Sequence, residues 1–330
     1  MAKKNLSKKS KKPLLSKILR LALPEDLTKS RYRGVKAITV GELLACKVPK
    51  RPNILGGFLR KGGRCMIAGP AGVGKTHLGL AIAAYLSVGK SLLGWGVDRP
   101  WQVAYLDGEM APAQVQARVK RWARRLPGLT EGGNLRIAPF TAVRARAIDI
   151  TTKEGQKVLR KSIADGTEVV IIDNYSSFNP NGREDAESWA PVNAFLNKLS
   201  RKGIATILVH HAGKGRSASY RGTSNLIGPV DTFISLSRIA GVAATGKAQF
   251  AMRFEKTRDR ATGDVTARRV KLRCSKTHGY KLVAEPLDTP ENREADIKRL
   301  IDKGYTDAKA AKKLGIDRST VYRHRKKLGK

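Results

Sequence analysis

The chain has 330 residues, 41% of them hydrophobic, and 65 lysines and arginines against 27 acids, for a formal net charge of +38. That much apolar material excludes a disordered polypeptide, and so strong a positive field points to polyanionic partners, nucleic acid or an anionic surface. Isolated cysteines, Cys46, Cys65 and Cys274, argue against a structural zinc site or a disulfide framework and suit a reducing compartment, so a cytoplasmic protein is expected.

In chain order, residues 1–13 form a lysine-rich tail able to touch a polyanion. Leu14, Leu15, Ile18, Leu19 and Ala22 recur at helical spacing and predict a short amphipathic helix over 14–23. Its apolar side has three possible seats: its own domain, a neighbouring subunit or a membrane. Lys17 and Arg20 interrupt the run and no small-residue cleavage site follows, so it is not read as a signal peptide. Nor does any apolar run approach the ~20 residues that span a bilayer.

From about 37 to 285 the pattern is α/β. Strand-like runs at 64–69, 102–107, 168–173, 204–209, 231–237 and 249–255 are interleaved with helical stretches at 75–87, 112–125, 154–164 and 187–201. This alternation predicts a mostly parallel sheet flanked by helices. After Pro286 and Pro290 the chain turns short, helical and basic, which predicts a small all-α module. The expected division is 1–36, 37–285 and 286–330.

The segment 69-GPAGVGKT-76 follows a strand and opens a helix, as a phosphate-binding loop must. Its cradle is Gly69, Pro70, Ala71, Gly72, Val73, Gly74, Lys75, Thr76 and His77. Lys75 is expected on the β and γ phosphates of ATP and Thr76 on Mg²⁺. The apolar strand 169-VVIID-173 ends in a carboxylate, Asp173, the expected second Mg²⁺ contact. In 105-YLDGEM-110, Glu109 is placed to orient or deprotonate an attacking water, with Asp107 as the local competitor. It is expected beside the phosphate-loop strand. The strand ending in His210 and His211 offers a polar contact for the γ-phosphate, or a purely structural pair. In 256-KTR-258, Lys256 and Arg258 share one strand face, and a cationic pair on one face suits concentrated negative charge, or else is two solvated residues.

The ordered set GPAGVGKT, LDGEM, VVIID, LVHHAGKG, RGTSNL and FEKTRDRATG resembles the RecA-fold hexameric helicases, most of all the plasmid RepA-type and more distantly the bacterial replicative DnaB-type. The resemblance implies ATP hydrolysis at the subunit interfaces of a ring, a homo-oligomer and probable hexamer in the family's terms, that moves along single-stranded DNA. It makes Glu109 the catalytic carboxylate and His211 the γ-phosphate sensor. It sets Lys256 and Arg258 against a neighbour's γ-phosphate. It also turns the loops 177–188 and 212–225 to a central channel, with Arg183, Lys214, Arg216 and Arg221 as DNA contacts, although Arg221 has an alternative at the ATP interface and an ordinary solvated loop remains open.

At the C-terminus, Thr306 caps a helix through about Leu314, with Ala308, Ala311 and Leu314 as its apolar face. Gly315 ends it and Asp317 caps the next helix. Val321 and Leu328 face inward. Arg318, Ser319, Thr320, Tyr322, Arg323 and Arg325 face outward, suited to base edges in a major groove. With 290–303 as a preceding helix the segment resembles a resolvase-type helix-turn-helix, so duplex DNA is an expected partner. The expected function is a ring-forming replicative DNA helicase. The rivals are a non-unwinding regulatory ATPase bound to DNA and a recombinase-like filament.

Overall fold

The computed structural model describes residues 39–45, 50–142, 148–182, 185–211, 227–239, 248–258, 265–287 and 289–327. The tail and the helix expected over 14–23 lie outside the described residues, as do Arg183, Lys214, Arg216, Arg221 and Leu328. The chain divides into two units, Met1–Pro52 and Asn53–Lys330. In the first, helix α1 (Val40–Ala45) exposes Val40, Leu43 and Leu44.

The second unit opens with a small ribbon, β1 (Asn53–Leu55) against β2 (Leu59–Arg60). It then alternates: β3 (Arg64–Gly69), α2 (Lys75–Ser87), β4 (Val103–Asp107), α3 (Pro112–Arg125), the short α4 (Gly128–Glu131), β5 (Leu135–Pro139), α5 (Lys153–Lys161), β6 (Val169–Asp173), α6 (Ala186–Arg201) and β7 (Ala205–His211). Four strands complete the sheet: β8 (Thr232–Arg238), β9 (Gln249–Thr257), β10 (Arg268–Ser275) and β11 (Gly279–Pro286). Nine strands among the described residues form one sheet in the order β11-β10-β9-β8-β3-β7-β6-β4-β5. From β8 to β5 every neighbouring pair is parallel, and from β8 to β11 every pair is antiparallel. The sheet is therefore mostly parallel, as the alternation predicts.

The apolar runs are continuous because both faces are covered. In β3, Cys65 and Ile67 pack on one side with α2 and α3, whereas Met66 and Ala68 pack on the other with α6. In β6, Val169 and Ile171 join the first core and Val170 and Ile172 the second. Alternate side chains of one strand thus feed two cores.

Two strand features depart from expectation. The hairpin β10–β11 and the edge strand β5 carry no apolar run: Lys271, Arg273 and Lys281 break it on the hairpin's outer face, Arg268 lies over the Trp95 ring, and Arg136 interrupts β5. The hairpin nevertheless pairs from Arg268↔Pro286 to Ser275↔Gly279 and packs Tyr280 against Trp122 of α3 at 5.4 Å. The sheet order also corrects the placement of Glu109. Strand β4 is not adjacent to β3: β6 and β7 lie between them.

Helices α7 (Pro290–Asp302), α8 (Asp307–Leu314) and α9 (Arg318–Lys327) enclose their own core of Ile297, Leu300, Ile301, Ala310, Ala311 and Val321. The Thr306 hydroxyl caps α8, and Gly315 ends it at φ 67°, a backbone that disfavours any side chain. Two expectations are corrected here. Ala308 is exposed, and the buried face of α8 is Ala310, Ala311 and Leu314. Arg325 does not face outward: it bonds Asp307 at 2.7 Å and the Tyr305 carbonyl at 2.8 Å. The helices are fastened to the sheet by Arg269 of β10, 3% exposed, which meets Asp296 of α7 at 2.6 Å. The Asn292 amide adds a bond to the Pro286 carbonyl at 2.7 Å.

Candidate functional site

The loop between β3 and α2 has the shape its glycines permit. Gly74 is at φ 120°, and a Cβ there would lie 2.9 Å from the Phe250 ring, so neither the backbone nor the space accepts a side chain. Helix α2 begins at Lys75 with no side-chain cap, which leaves its first N–H groups open to an anion. Lys75 is 5% exposed and its Nζ donates to the carbonyls of Gly69 (2.8 Å) and Pro70 (2.9 Å). Burial pulls its ammonium down to about 8, against the opposing pull of Glu109 and Asp173. A phosphate would restore the charge. His77 turns its ring edge-on to Tyr280 at 5.3 Å, towards the core rather than the loop.

Asp173 ends β6 almost fully buried. Its Oδ2 accepts from the Tyr105 hydroxyl at 2.5 Å, whereas its Oδ1 has no hydrogen-bond partner. Burial raises this carboxyl to about 6, while the bonds from Tyr105 and the nearby Thr76 hydroxyl oppose the rise. A buried, unpaired carboxylate oxygen beside a threonine hydroxyl fits a divalent cation. Among the described residues no group of three or more His, Cys, Asp and Glu is placed to hold a metal, so phosphates and water would have to supply most ligands.

The two acids of the 105–110 turn separate cleanly. Asp107 is 1% exposed and its Oδ1 accepts from the backbone N–H groups of Glu109 and Met110, at 2.9 and 2.8 Å, so it shapes the turn. Glu109, with its side chain half exposed, is the acid presented to the site. Although β4 lies two strands away from the phosphate loop, the turn carries Glu109 back to 3.7 Å from His211.

Asn174, which the sequence reading passed over, ties these groups together. Its amide donates to Glu109 Oε2 and contacts His211 Nε2 at 3.1 Å, while Lys75 Nζ lies 3.0 Å from His211 Nδ1. Both neighbours of the ring are donors, and a neutral imidazole has one acceptor nitrogen. Only one of the two contacts is therefore a hydrogen bond. Burial and the Lys75 charge hold the ring below its usual proton affinity, so it is not relieved by protonation. Drawing Lys75 to a phosphate frees His211 to satisfy Asn174. The sequence does hold a signal for Asn174: it is the first polar residue after the carboxylate of a buried strand. His210 is buried on the other side, with its ring against Tyr175 at 5.6 Å.

Lys256 and Arg258 do share a face. Lys256 Nζ donates to the carbonyls of Ile227 (2.9 Å) and Gly228 (2.8 Å), and Arg258 reaches the same Gly228 carbonyl at 3.1 Å. Asp231 lies 3.5 Å from Arg258 and was not singled out in the sequence. The register locates the pair: Lys256 is level with Phe233 and Met66, and Thr257 with Thr232 and Cys65. Gly69 is three strand residues beyond the level of Lys256 and four beyond that of Thr257, roughly 10–13 Å along β3, and the Lys256 and Arg258 side chains reach the other way, to the Ile227 and Gly228 carbonyls that precede β8. The cations are thus turned away from their own phosphate loop.

On α9, Arg318, Ser319, Tyr322 and Arg323 are exposed and Thr320 half-buried, on the side away from Val321. Among the described residues no helix is long and apolar enough to cross a membrane.

A family model described as an AAA domain matches residues 29–217, and one described as a homeodomain-like domain matches residues 291–328. A search of curated proteins finds no match. Among solved structures, the crystal structure of a KaiC-like protein from the hyperthermophilic archaeon Pyrococcus horikoshii OT3 is similar at 14% identity and a TM-score of 0.48. The match covers 72% of this chain and 99% of that one. The helix-turn-helix expected at the C-terminus is therefore present, and the α/β core carries a P-loop ATPase domain.

Proposed function

We propose that this chain, which belongs to the AAA domain family through its match over residues 29–217, is an Mg²⁺-dependent ATPase whose active sites form between copies and drive a ring-shaped DNA helicase. The observation that carries this is the polarity of the sheet. One end bears the glycine loop, Lys75, Thr76, Asp173 and Glu109. The other bears Lys256 and Arg258, set back from the chain's own loop by about 10 Å or more along the strand direction. A second copy docked end to end would meet the first copy's phosphates with those cations.

In this reading ATP lies in the loop, held by backbone N–H groups and Lys75. Mg²⁺ is held by Thr76 and Asp173 and supplies charge neutralisation for the phosphates. Glu109 orients a water for in-line attack. The neighbour's Lys256 and Arg258 stabilise the charge that builds on the transferred phosphoryl group. His211 reads the γ-phosphate through the exchange of Lys75 and Asn174 contacts. Arg183, Lys214, Arg216 and Arg221 are proposed to follow the backbone of single-stranded DNA, and the helix-turn-helix, through Arg318, Ser319, Thr320, Tyr322 and Arg323, to bind duplex.

The second reading is a DNA-bound regulatory ATPase that does not unwind. The buried Arg269–Asp296 pair favours it, because helices so firmly fixed to the sheet suit an address more than a moving part. Displacement of an annealed strand from a forked duplex with ATP and Mg²⁺, with Lys75→Ala as the blank, separates the two. Displacement that needs Lys75 supports the helicase. DNA-stimulated hydrolysis without displacement favours the regulator.

A further inference from the structure

A cleft of about 150 Å³ opens where α7 and the end of α8 meet the ends of β8 and β9 nearest the phosphate loop. Four cations line it: Arg238 and Arg253 from the sheet, and Arg293 and Lys313 from the helices. The acid in its wall, Asp296, is already taken, with one oxygen on Arg269 at 2.6 Å and the other on Arg299 at 2.7 Å. Three of the lining cations meet neutral groups. Arg238 donates to the Ala71 carbonyl at 3.0 Å, Arg253 lies 3.5 Å from the Ser237 hydroxyl, and Lys313 donates to the Tyr305 hydroxyl at 2.9 Å. Ile239 and Leu287 give the same cleft an apolar wall. Like charges gathered around one recess repel each other, and an anion seated among them reverses the sign of that energy.

The position of the cleft selects the anion. Lys313 and Leu314 end α8 and Ile316 lies in the tight turn that leads directly into α9, whose exposed Arg318 and Ser319 follow within a few residues. When the second helix of such a motif enters a major groove, the flanking elements lie along the sugar-phosphate strand beside it. A duplex docked in that way would bring a backbone phosphate past the turn, towards the cleft.

We propose that this seam is a phosphodiester site, so that duplex DNA read by α9 is also gripped by Arg238 and Arg253 of the ATPase sheet. The proposal rests on the reading of the C-terminal helices as a duplex-binding module. Its consequence is that duplex DNA and the phosphate loop are separated by a single side chain, since Arg238 bonds Ala71 of that loop.

The test uses the full chain and the anisotropy of a labelled duplex measured over a range of salt. Arg253→Gln and Arg293→Gln are exposed positions outside the ATP site, so hydrolysis without DNA should be unchanged, which also reports folding. Each is expected to weaken duplex binding roughly tenfold, equally across sequences, and to lower the slope of log affinity on log salt by about 1. Arg253→Lys should restore the slope. Arg323→Gln on α9 is the separate control for the underlying reading. If Arg323→Gln weakens duplex binding while Arg253→Gln and Arg293→Gln change neither affinity nor slope, the seam proposal is overturned and the module reading survives. If none of the three weakens it, both fall. If the seam variants lose only a thermal shift induced by inorganic phosphate, or only single-strand binding, the seam serves a free anion or another strand and the duplex assignment is wrong.

Discussion

The two ends of the central sheet are built from opposite chemistry. At the end where β3, β6 and β7 finish, acids and a lysine are joined in a shared network: buried Asp173 with Tyr105, half-exposed Glu109 with Asn174, and Lys75 with its own loop carbonyls and His211. At the other end Lys256 and Arg258 converge on the Gly228 carbonyl, with Asp231 at 3.5 Å from Arg258. The first end groups the acids and the lysine that the proposed hydrolysis assigns to binding and attack, and the second groups the cations it assigns to charge stabilisation. The contrast teaches that, on the proposed reading, one chain carries both halves of a catalytic set and a second copy would close them.

The largest test of that contrast is Arg258→Ala. Turnover should fall by about 10³–10⁵ while nucleotide affinity is kept if, as proposed, the cation acts on the transition state of another copy. Mixing it with Lys75→Ala protein should restore part of the turnover at hybrid interfaces, measured as phosphate release. Turnover that stays near normal in Arg258→Ala would break the comparison at once. Next is Glu109→Gln, which keeps shape and removes the carboxylate. A loss of about 10²–10⁴ in kcat is expected, and mixing with Arg258→Ala should restore part of it, as for Lys75→Ala, because Glu109 lies in the same half of the site. Asn174→Ala removes the donor that holds Glu109. Turnover should fall roughly ten- to hundredfold, the worth of one hydrogen bond to a charged group, with nucleotide affinity kept. An unchanged kcat would make Asn174 a spectator.

How much of this was legible in the sequence depends on how local the signal is. The glycine loop, its strand and its helix were readable because one short segment contains the whole device, and β6 was readable because a strand buried on both faces has no polar interruption. The helix-turn-helix caps, Thr306 and Gly315, were readable for the same reason. The phase of α8 was not: DAKAAKKL holds three alanines, and the facing residues Ile297, Leu300 and Ile301 decide which of them are buried. The hairpin β10–β11 was hidden by its own charges. Strand order is a non-local property, so the expectation that Glu109 lies beside β3 failed, although the turn after β4 brings its side chain to His211 all the same. Asn174 and Asp231 carry no motif, and their roles emerge only from the distances to Glu109 and Arg258.

The smallest expected effect is on pH, and it sharpens the contrast because it belongs to the nucleotide end alone. Lys75 is held down to about 8 by burial, and a bound phosphate requires its charged form. Nucleotide binding must therefore take up a proton once the pH exceeds 8, and affinity should fall about tenfold per unit above that value. Asp173 is held up to about 6 by burial, and facing Mg²⁺ requires its ionised form. Binding must release a proton below pH 6, and affinity for the Mg²⁺ complex should fall there too. The measurement is nucleotide affinity from pH 5 to 9, expected to be flat between about 6 and 8. Lys75→Arg, permanently charged, should remove the alkaline limb and leave the acid one. Arg258→Ala, which acts from the other end of the sheet, should leave both limbs in place. A shift of either limb in Arg258→Ala, measured at a dilution that keeps copies apart, would mean that the two ends communicate within one chain, against the division on which the interface reading depends.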